Sequence, residues 1–190
     1  FRDKHIEPLA ILSLLATIGT SNSIELKDSL QQIIDEFRIK TISTSPGRIE
    51  IDLLNSLNKK LIQKFDYSEI EDRLKKIDDR IDRNFWETTR GNLDIVEDIK
   101  GWGDIVFNSN PIEPADKEFI KIAIDLMPDE PWNDETWSNW TSKIKDKTGK
   151  KGKDLFLPLR EAFTGMSHGP EMKKLIQLLG RDKILERVKI

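Results

Sequence analysis

Several residue types that carry enzyme chemistry are scarce or absent in this chain of 190 residues. There is no cysteine, which excludes disulfides and thiol chemistry and favours a reducing compartment such as the cytoplasm. Only two histidines are present, His5 and His168, and they lie far apart in the sequence, so we expect no histidine-based zinc site. There is no GxSxG motif, and "GKKGKD" departs from the Walker A pattern in its spacing and its last residue. The sequence therefore predicts no catalytic residues and no metal site.

Long apolar runs are missing as well. The longest, "IEPLAILSLLATIG", falls short of the roughly 20 residues that a membrane span needs, so we expect no membrane association. The chain begins with Phe1 rather than methionine, which predicts a piece of a longer protein.

Apolar residues recur at helical spacing along most of the sequence, while strict two-residue alternation is almost absent. Gly19 is predicted to end the first helix, and the segment "LDIVEDIKGW" to end at its glycines. Pro158 is predicted to start a helix, which would place Arg160 in a first helical turn. Pro170 is predicted at the first position of the helix that follows "GMSHG". The sequence predicts an all-α chain of about ten helices, with discontinuities at residues 41–47 and 107–114.

The charge is unevenly distributed. The net charge is −3, but residues 143–190 hold 13 Lys/Arg against 6 Asp/Glu. Six lysines fall within eleven residues, interrupted by two glycines: Lys143, Lys145, Lys147, Lys150, Lys151 and Lys153. Such a segment is suited to binding phosphates without reading sequence. A flexible, solvated surface loop is the alternative.

Arginine and tryptophan side chains leave further alternatives open. Arg160 is suited to a base edge or a phosphate, or to a carboxylate in a surface pair. Five tryptophans are many for this length. Aromatic side chains stack on the bases of single-stranded RNA, but helical tryptophans more often belong to the core.

The segment "GKKGKDLFLPLREAFTGMSHGPEMKKLIQLLGRDKILERV" resembles the C-terminal end of bacterial glutamyl-tRNA synthetases. "FRDKHIEPLAILSLLATIGTS" resembles the helical segment that follows the KMSKS loop of that family. "IDLLNSLNKKLI" resembles the "L..LN.K.L" helix of the family, with Asn58 as the matching asparagine, and "FWETTRGNLDIVEDIKGW" resembles its first anticodon-binding helices. The resemblance spans almost the whole chain, and the segments occur in the same order.

This resemblance implies a two-part, all-helical anticodon-binding domain preceded by a helical stem-contact segment. The implied divisions are residues 1–47 for the tail of the stem-contact region, and 48–110 and 111–190 for the two anticodon-binding subdomains. The HIGH and KMSKS motifs, which hold ATP in the family, do not occur in the chain. ATP and Mg²⁺ are therefore expected only in a catalytic domain of the parent protein, and the chain alone should be inactive.

The resemblance also implies the site residues. Arg160, Gly169, Pro170 and Met172 match the positions that contact anticodon bases. Asn92 matches a position where some members carry an arginine that distinguishes glutamate from glutamine anticodons. Lys150, Lys151 and Lys153 are the predicted phosphate-binding residues. The expected partner is tRNA(Glu), with tRNA(Gln) also admitted because Asn92 is not arginine, and the expected state is a monomer.

A second reading remains open from the residues themselves. A helical protein–protein interaction scaffold whose basic C-terminal end meets an acidic partner would also fit the acidic body and the tryptophan-rich helices.

Overall fold

The computed structural model describes residues 1–44 and 48–190. Within those ranges the chain forms eleven α-helices with short 3₁₀ turns and no strand, apart from one isolated bridge between Ile112 and Val188. The all-α prediction is confirmed. The predicted discontinuity at residues 41–47 lies partly outside the described residues. The predicted boundary at residue 47 lies wholly outside them.

The chain divides into two compact units. Unit 1 comprises Phe1–Arg80 and Arg90–Ile99, and unit 2 comprises Ile81–Thr89 and Lys100–Ile190. The predicted functional division into residues 1–47, 48–110 and 111–190 stays a prediction.

Unit 1 is built on four helices: α1 (Pro8–Thr17), α2 (Leu30–Glu36), α3 (Ile51–Lys64) and α4 (Tyr67–Ile77). The apolar faces of α1 and α3 form a core with Ala10, Leu14, Leu54 and Leu57. As predicted, Gly19 follows the end of α1, where its φ of +78° suits glycine.

Polar contacts fix the irregular segments of unit 1. The fully buried side chain of Asn58 accepts a hydrogen bond from the Glu7 backbone N–H at 2.8 Å. Its Nδ2 atom donates to the Asp94 carbonyl, also at 2.8 Å. Arg73 donates to the carboxylates of Glu7 and Glu97 at 2.6 and 2.8 Å. These bonds join the start of α1, helices α3 and α4, and the segment that carries residues 90–99.

Unit 2 contains the other seven helices, α6 except for its first residue: α5 (Arg83–Thr89), α6 (Ile99–Phe107), α7 (Lys117–Asp125), α8 (Thr136–Thr148), α9 (Lys153–Thr164), α10 (Met172–Leu179) and α11 (Arg181–Arg187). Large side chains fill its core: Trp86 and Trp140 are 0% and 1% exposed. The buried guanidinium of Arg187 donates to the carbonyls of Phe163, Ile105 and Asn108, near the C-terminal ends of α9 and α6. Because helix C-termini leave carbonyls unsatisfied and carry partial negative charge, a cation there is favoured.

Three sequence predictions about helix ends in unit 2 are wrong. Pro158 lies inside α9, which begins at Lys153, so Arg160 is in the second half of that helix. Pro158 removes one hydrogen bond, to the Asp154 carbonyl, and the burial of Leu155, Leu159 and Phe163 on the same helix offsets that loss. The glycines of "KGWG" lie inside α6 rather than at its end.

The third wrong prediction concerns Pro170. The helix α10 begins at Met172 with Glu171 as its N-cap, so Pro170 lies just before the helix. Its backbone carbonyl is engaged by Arg160, a contact that the local sequence does not reveal.

Candidate nucleic-acid interface

The lysine-rich loop between α8 and α9 is shaped by two glycines. Gly149 ends α8 with φ +71°, and its N–H donates to the Lys145 carbonyl at 2.8 Å. Gly152 precedes α9 with φ +54°. Both conformations lie in the left-handed region that glycine adopts without strain, so the four-residue turn 149–152 joins the two helices tightly.

The three predicted phosphate-binding lysines differ in their surroundings. Lys150 is half-buried, and its Nζ atom lies 2.7 Å from Asp116 Oδ2 and 4.2 Å from the centroid of the Phe119 ring. The hydrogen bond from Lys150, followed by that from the Phe119 backbone N–H, holds the pKa of Asp116 below its ordinary value. Lys151 and Lys153 are exposed and have no hydrogen-bond or ion-pair partner in the part of the chain that the structure describes. Lys150 thus links the loop to the start of α7, while Lys151 and Lys153 are available to an external anion.

Arg160 is half-buried and only partly satisfied. Its Nη2 atom donates to the Pro170 carbonyl at 2.9 Å, whereas its Nη1 atom is shielded from solvent and has no acceptor among the described residues. Burial lowers the pKa of the Arg160 guanidinium, which nonetheless stays charged at neutral pH. The carboxylate pair that the sequence left open is not found within residues 1–44 and 48–190. Arg160 therefore retains a charged donor without a partner.

The segment from Gly169 to Met172 shapes the surface mainly through its backbone. Gly169 has φ +142°, and a Cβ atom there would lie 2.2 Å from Cη2 of Trp102. The side chains of Pro170 and Met172 are buried. Pro170 and Met172 lie beside Arg160, but burial limits what these two side chains present to a ligand. A binding role for Gly169, Pro170 and Met172 stays a prediction.

Residues of α8 and α9 and of the start of α10 line an open surface depression beside Arg160, a pocket of about 370 Å³. Its lining comprises Trp137, Phe156, Arg160, Glu171, Met172 and Lys173. Sequence reasoning missed Phe156, although an aromatic residue four positions before Arg160 on a helix is a usable signal, because residues four apart share a face. Trp86, Trp102 and Trp140 are core residues, but Trp137 remains partly exposed.

Asn92 lies in unit 1, at the end of the 3₁₀ turn Arg90–Asn92, and its side chain is exposed. The neighbouring Arg90 donates from Nη1 to the Phe65 carbonyl at 2.7 Å. Arg90 is thus engaged in holding this turn against the end of α3, and Asn92 is the more exposed of the two residues.

Comparison with known proteins identifies the family. A family model described as an anticodon binding domain matches residues 52–190. The chain belongs to this anticodon-binding domain family. Curated relatives of this domain include glutamate–tRNA ligase 1 of Anaplasma marginale, 36% identical over 99% of the chain, and glutamate–tRNA ligase 2 of Hyphomonas neptunium, 39% identical over 98%. The resemblance to glutamyl-tRNA synthetases is confirmed.

Solved structures agree with the fold of this anticodon-binding domain. The glutamate tRNA ligase of Elizabethkingia meningosepticum, solved in complex with its amino acid, superimposes with a TM-score of 0.77 at 17% identity, over 97% of the chain and 40% of that protein. The chain spans about 43% of the length of the two curated relatives. No helix in the described ranges is long and apolar enough to cross a membrane, and those ranges contain no cluster of three or more His, Cys, Asp or Glu side chains arranged to hold a metal ion.

Proposed function

We propose that this chain is the tRNA anticodon-binding part of a glutamate–tRNA ligase. The observation that carries the proposal is that an anticodon-binding domain contains both a basic loop and, on the following helix, an arginine with an unpaired donor. In this proposal Lys151 and Lys153 contact phosphates, and Arg160 contacts an anticodon base. Gly169, Pro170 and Met172 shape the surface on which that base rests.

The parent protein would join glutamate to tRNA(Glu), with ATP and Mg²⁺ bound by a catalytic region outside this chain. The chain alone would form neither glutamyl adenylate nor glutamyl-tRNA, since it contains neither the HIGH nor the KMSKS motif. We propose a cytoplasmic monomer. We also propose that tRNA(Gln) is accepted beside tRNA(Glu), because Asn92 lacks the charge and the two-pronged donor of an arginine.

Binding of an RNA hairpin with the anticodon arm of tRNA(Glu) tests this proposal. Fluorescence anisotropy would give the dissociation constant of the 190-residue chain for this hairpin and for a hairpin of the same stem with a scrambled loop. Affinity should fall steeply between low and moderate salt, because binding phosphates releases counterions. The hairpin with the glutamate anticodon should bind more tightly than the scrambled one.

Arg160→Ala is the variant that tests base recognition. If Arg160 bonds to a base edge, its loss should reduce discrimination between the two hairpins by about 1–3 kcal/mol. An equal loss for both hairpins would leave Arg160 with a phosphate or structural role. Absence of any RNA preference in the wild-type chain, with tight binding of an acidic protein instead, would favour the interaction scaffold.

A further inference from the structure

We propose that Phe156 and Trp137 form a stacking platform for one unpaired base of the bound RNA. This inference rests on the proposed function and adds a site to it. The two rings line the pocket beside Arg160, where helices α8 and α9 meet the start of α10.

Exposure of the Phe156 ring is the first observation. Its side chain is 44% exposed, although large apolar side chains in this unit are mostly buried. The centroid of its ring lies 6.4 Å from that of Trp137, with 40° between the planes. The rings therefore touch without covering one another, which leaves aromatic surface open to the pocket. Aromatic side chains that present a face to solvent are a recurring platform for unpaired bases.

Trp137 packs against buried rings behind it. It packs edge-on against Trp140 at 5.9 Å, and Trp140 stacks on Phe163 at 5.4 Å and 15°. Trp140 and Phe163 are fully buried, and the indole N–H of Trp140 donates to the Ala123 carbonyl at 2.8 Å. A line of aromatic rings thus runs from the core of unit 2 to its surface and ends at Phe156. A platform fixed in this way needs little ordering when a base arrives, which favours binding.

The chemistry around the two rings matches a nucleotide. Lys153, Phe156 and Arg160 are spaced three and four residues apart, so they follow one another along one face of α9. That face carries an unpaired amine, an aromatic ring and a guanidinium whose Nη1 atom is buried and lacks an acceptor among the described residues. The amine suits a phosphate, the aromatic ring suits the face of a base, and the guanidinium suits the edge of a base. A base in the pocket would supply an acceptor to Arg160 once its guanidinium turned toward it.

Three variants separate stacking from apolar packing. Phe156→Ala removes the ring, Phe156→Leu keeps apolar bulk without the aromatic face, and Phe156→Tyr keeps the face. Leu185→Ala is the matched control, because Leu185 on α11 is a similarly exposed apolar side chain in the same unit. We expect the Ala and Leu variants to bind the anticodon hairpin about 5- to 100-fold more weakly, with Tyr and the Leu185 control close to wild type.

Hairpins with one abasic nucleotide in the loop give the decisive measurement. If Phe156 stacks on a base, one abasic position should weaken wild-type binding while leaving Phe156→Leu almost unaffected, because the partner of the ring is already missing. Thermal unfolding of each variant, followed by circular dichroism, checks that the fold is retained.

The outcomes separate the two proposals. Wild-type binding together with Phe156→Leu binding that equals it would overturn the platform and leave the proposed function standing. The platform would also be overturned if wild type and Phe156→Leu lost equal affinity at every abasic position, since Phe156 would then act through the fold. Failure of the wild-type chain to bind any hairpin would overturn both.

Discussion

Replacement of Gly169 by alanine should act mainly by destabilising unit 2, and not by removing a contact with RNA. Gly169 has φ +142°, in a region that residues with a Cβ rarely adopt. A Cβ atom would lie 2.2 Å from Cη2 and 2.8 Å from Cζ2 of Trp102, whose ring is 7% exposed and has little room to move. The resemblance implies a binding role for Gly169, whereas the structure gives this glycine a steric one.

The size of the Gly169→Ala effect follows from two terms. A residue held in a sparsely populated backbone region costs of the order of 1–3 kcal/mol. Forcing an extra carbon into a packed site costs typically about 1–3 kcal/mol. We therefore expect the free energy of unfolding to fall by roughly 2–6 kcal/mol, which lowers the melting temperature by at least about 4 °C in a chain of this length.

Tryptophan fluorescence is a selective assay for this change. All five tryptophans lie in the ranges of unit 2, so urea unfolding followed by their emission reports on that unit. Gly101→Ala is the matched control, because a Cβ at Gly101 meets nothing within 4 Å and the residue lies inside α6. That variant should be neutral or more stable by up to about 1 kcal/mol, as alanine is the better helix former.

A small loss would refute this reasoning. If Gly169→Ala changed the free energy of unfolding by less than about 0.5 kcal/mol, neither the backbone strain nor the contact with Trp102 would be real. The double variant with Trp102→Leu separates the two terms. Removing the indole, whose six-membered ring carries the clashing atoms, should relieve the steric part and leave the strain, so the two substitutions should be non-additive.

Three further predictions concern charged and polar groups. Lys151→Ala should weaken the binding of all RNA hairpins about equally and lower the salt dependence of binding. Lys150→Ala should mainly lower stability, because Lys150 is paired with Asp116. Equal salt slopes for the two variants in anisotropy titrations would contradict this difference. In the full-length ligase, Asn92→Arg should shift charging toward tRNA(Glu) over tRNA(Gln); an unchanged ratio in parallel aminoacylation assays would remove Asn92 from recognition. Burial alone would raise the pKa of Glu97, but hydrogen bonds from Arg73 reverse this and hold that pKa below its ordinary value. The ionised Glu97 therefore stabilises the fold at pH values above its unfolded-state pKa, and this stabilisation is lost as pH falls through its folded-state pKa. Glu97→Gln should therefore flatten the acid side of the stability profile of unit 1, measured by hydrogen exchange in α4; an unaltered profile would contradict the assignment.

Local sequence patterns were sufficient for much of the fold. Helical spacing of apolar residues predicted an all-α chain, and Gly19 was placed correctly because a C-terminal glycine depends on the local backbone alone. Pro158 was misplaced because the packing of α9 outweighs the hydrogen bond that proline removes in the first turn. Local rules fail where tertiary contacts supply the larger free energy.

The candidate site was predictable only in part, for a related reason. The basic loop is visible in the sequence, but the contact that sets Lys150 apart from its neighbours comes from Asp116, 34 residues away. Likewise, the bond from Arg160 to the Pro170 carbonyl joins the middle of α9 to the segment before α10. Neither pairing has a periodic signal, so which lysines stay available, and how Arg160 is oriented, depend on the folded chain.

Burial determines which substitutions at this surface can be interpreted. Met172 is 6% exposed and lines the pocket from within the core, so shortening it would leave a cavity and move the start of α10 along with the pocket floor. A loss of RNA affinity in such a variant would mix stability with recognition. Lys151 and Phe156 are exposed, so replacing either side chain would remove the proposed RNA contact with little change to the packed core. Roles in recognition at this site are therefore best assigned by combining a substitution of an exposed side chain with one altered nucleotide. Substitution of a buried residue would weaken the binding of all RNAs alike, whether or not the RNA contacts that residue.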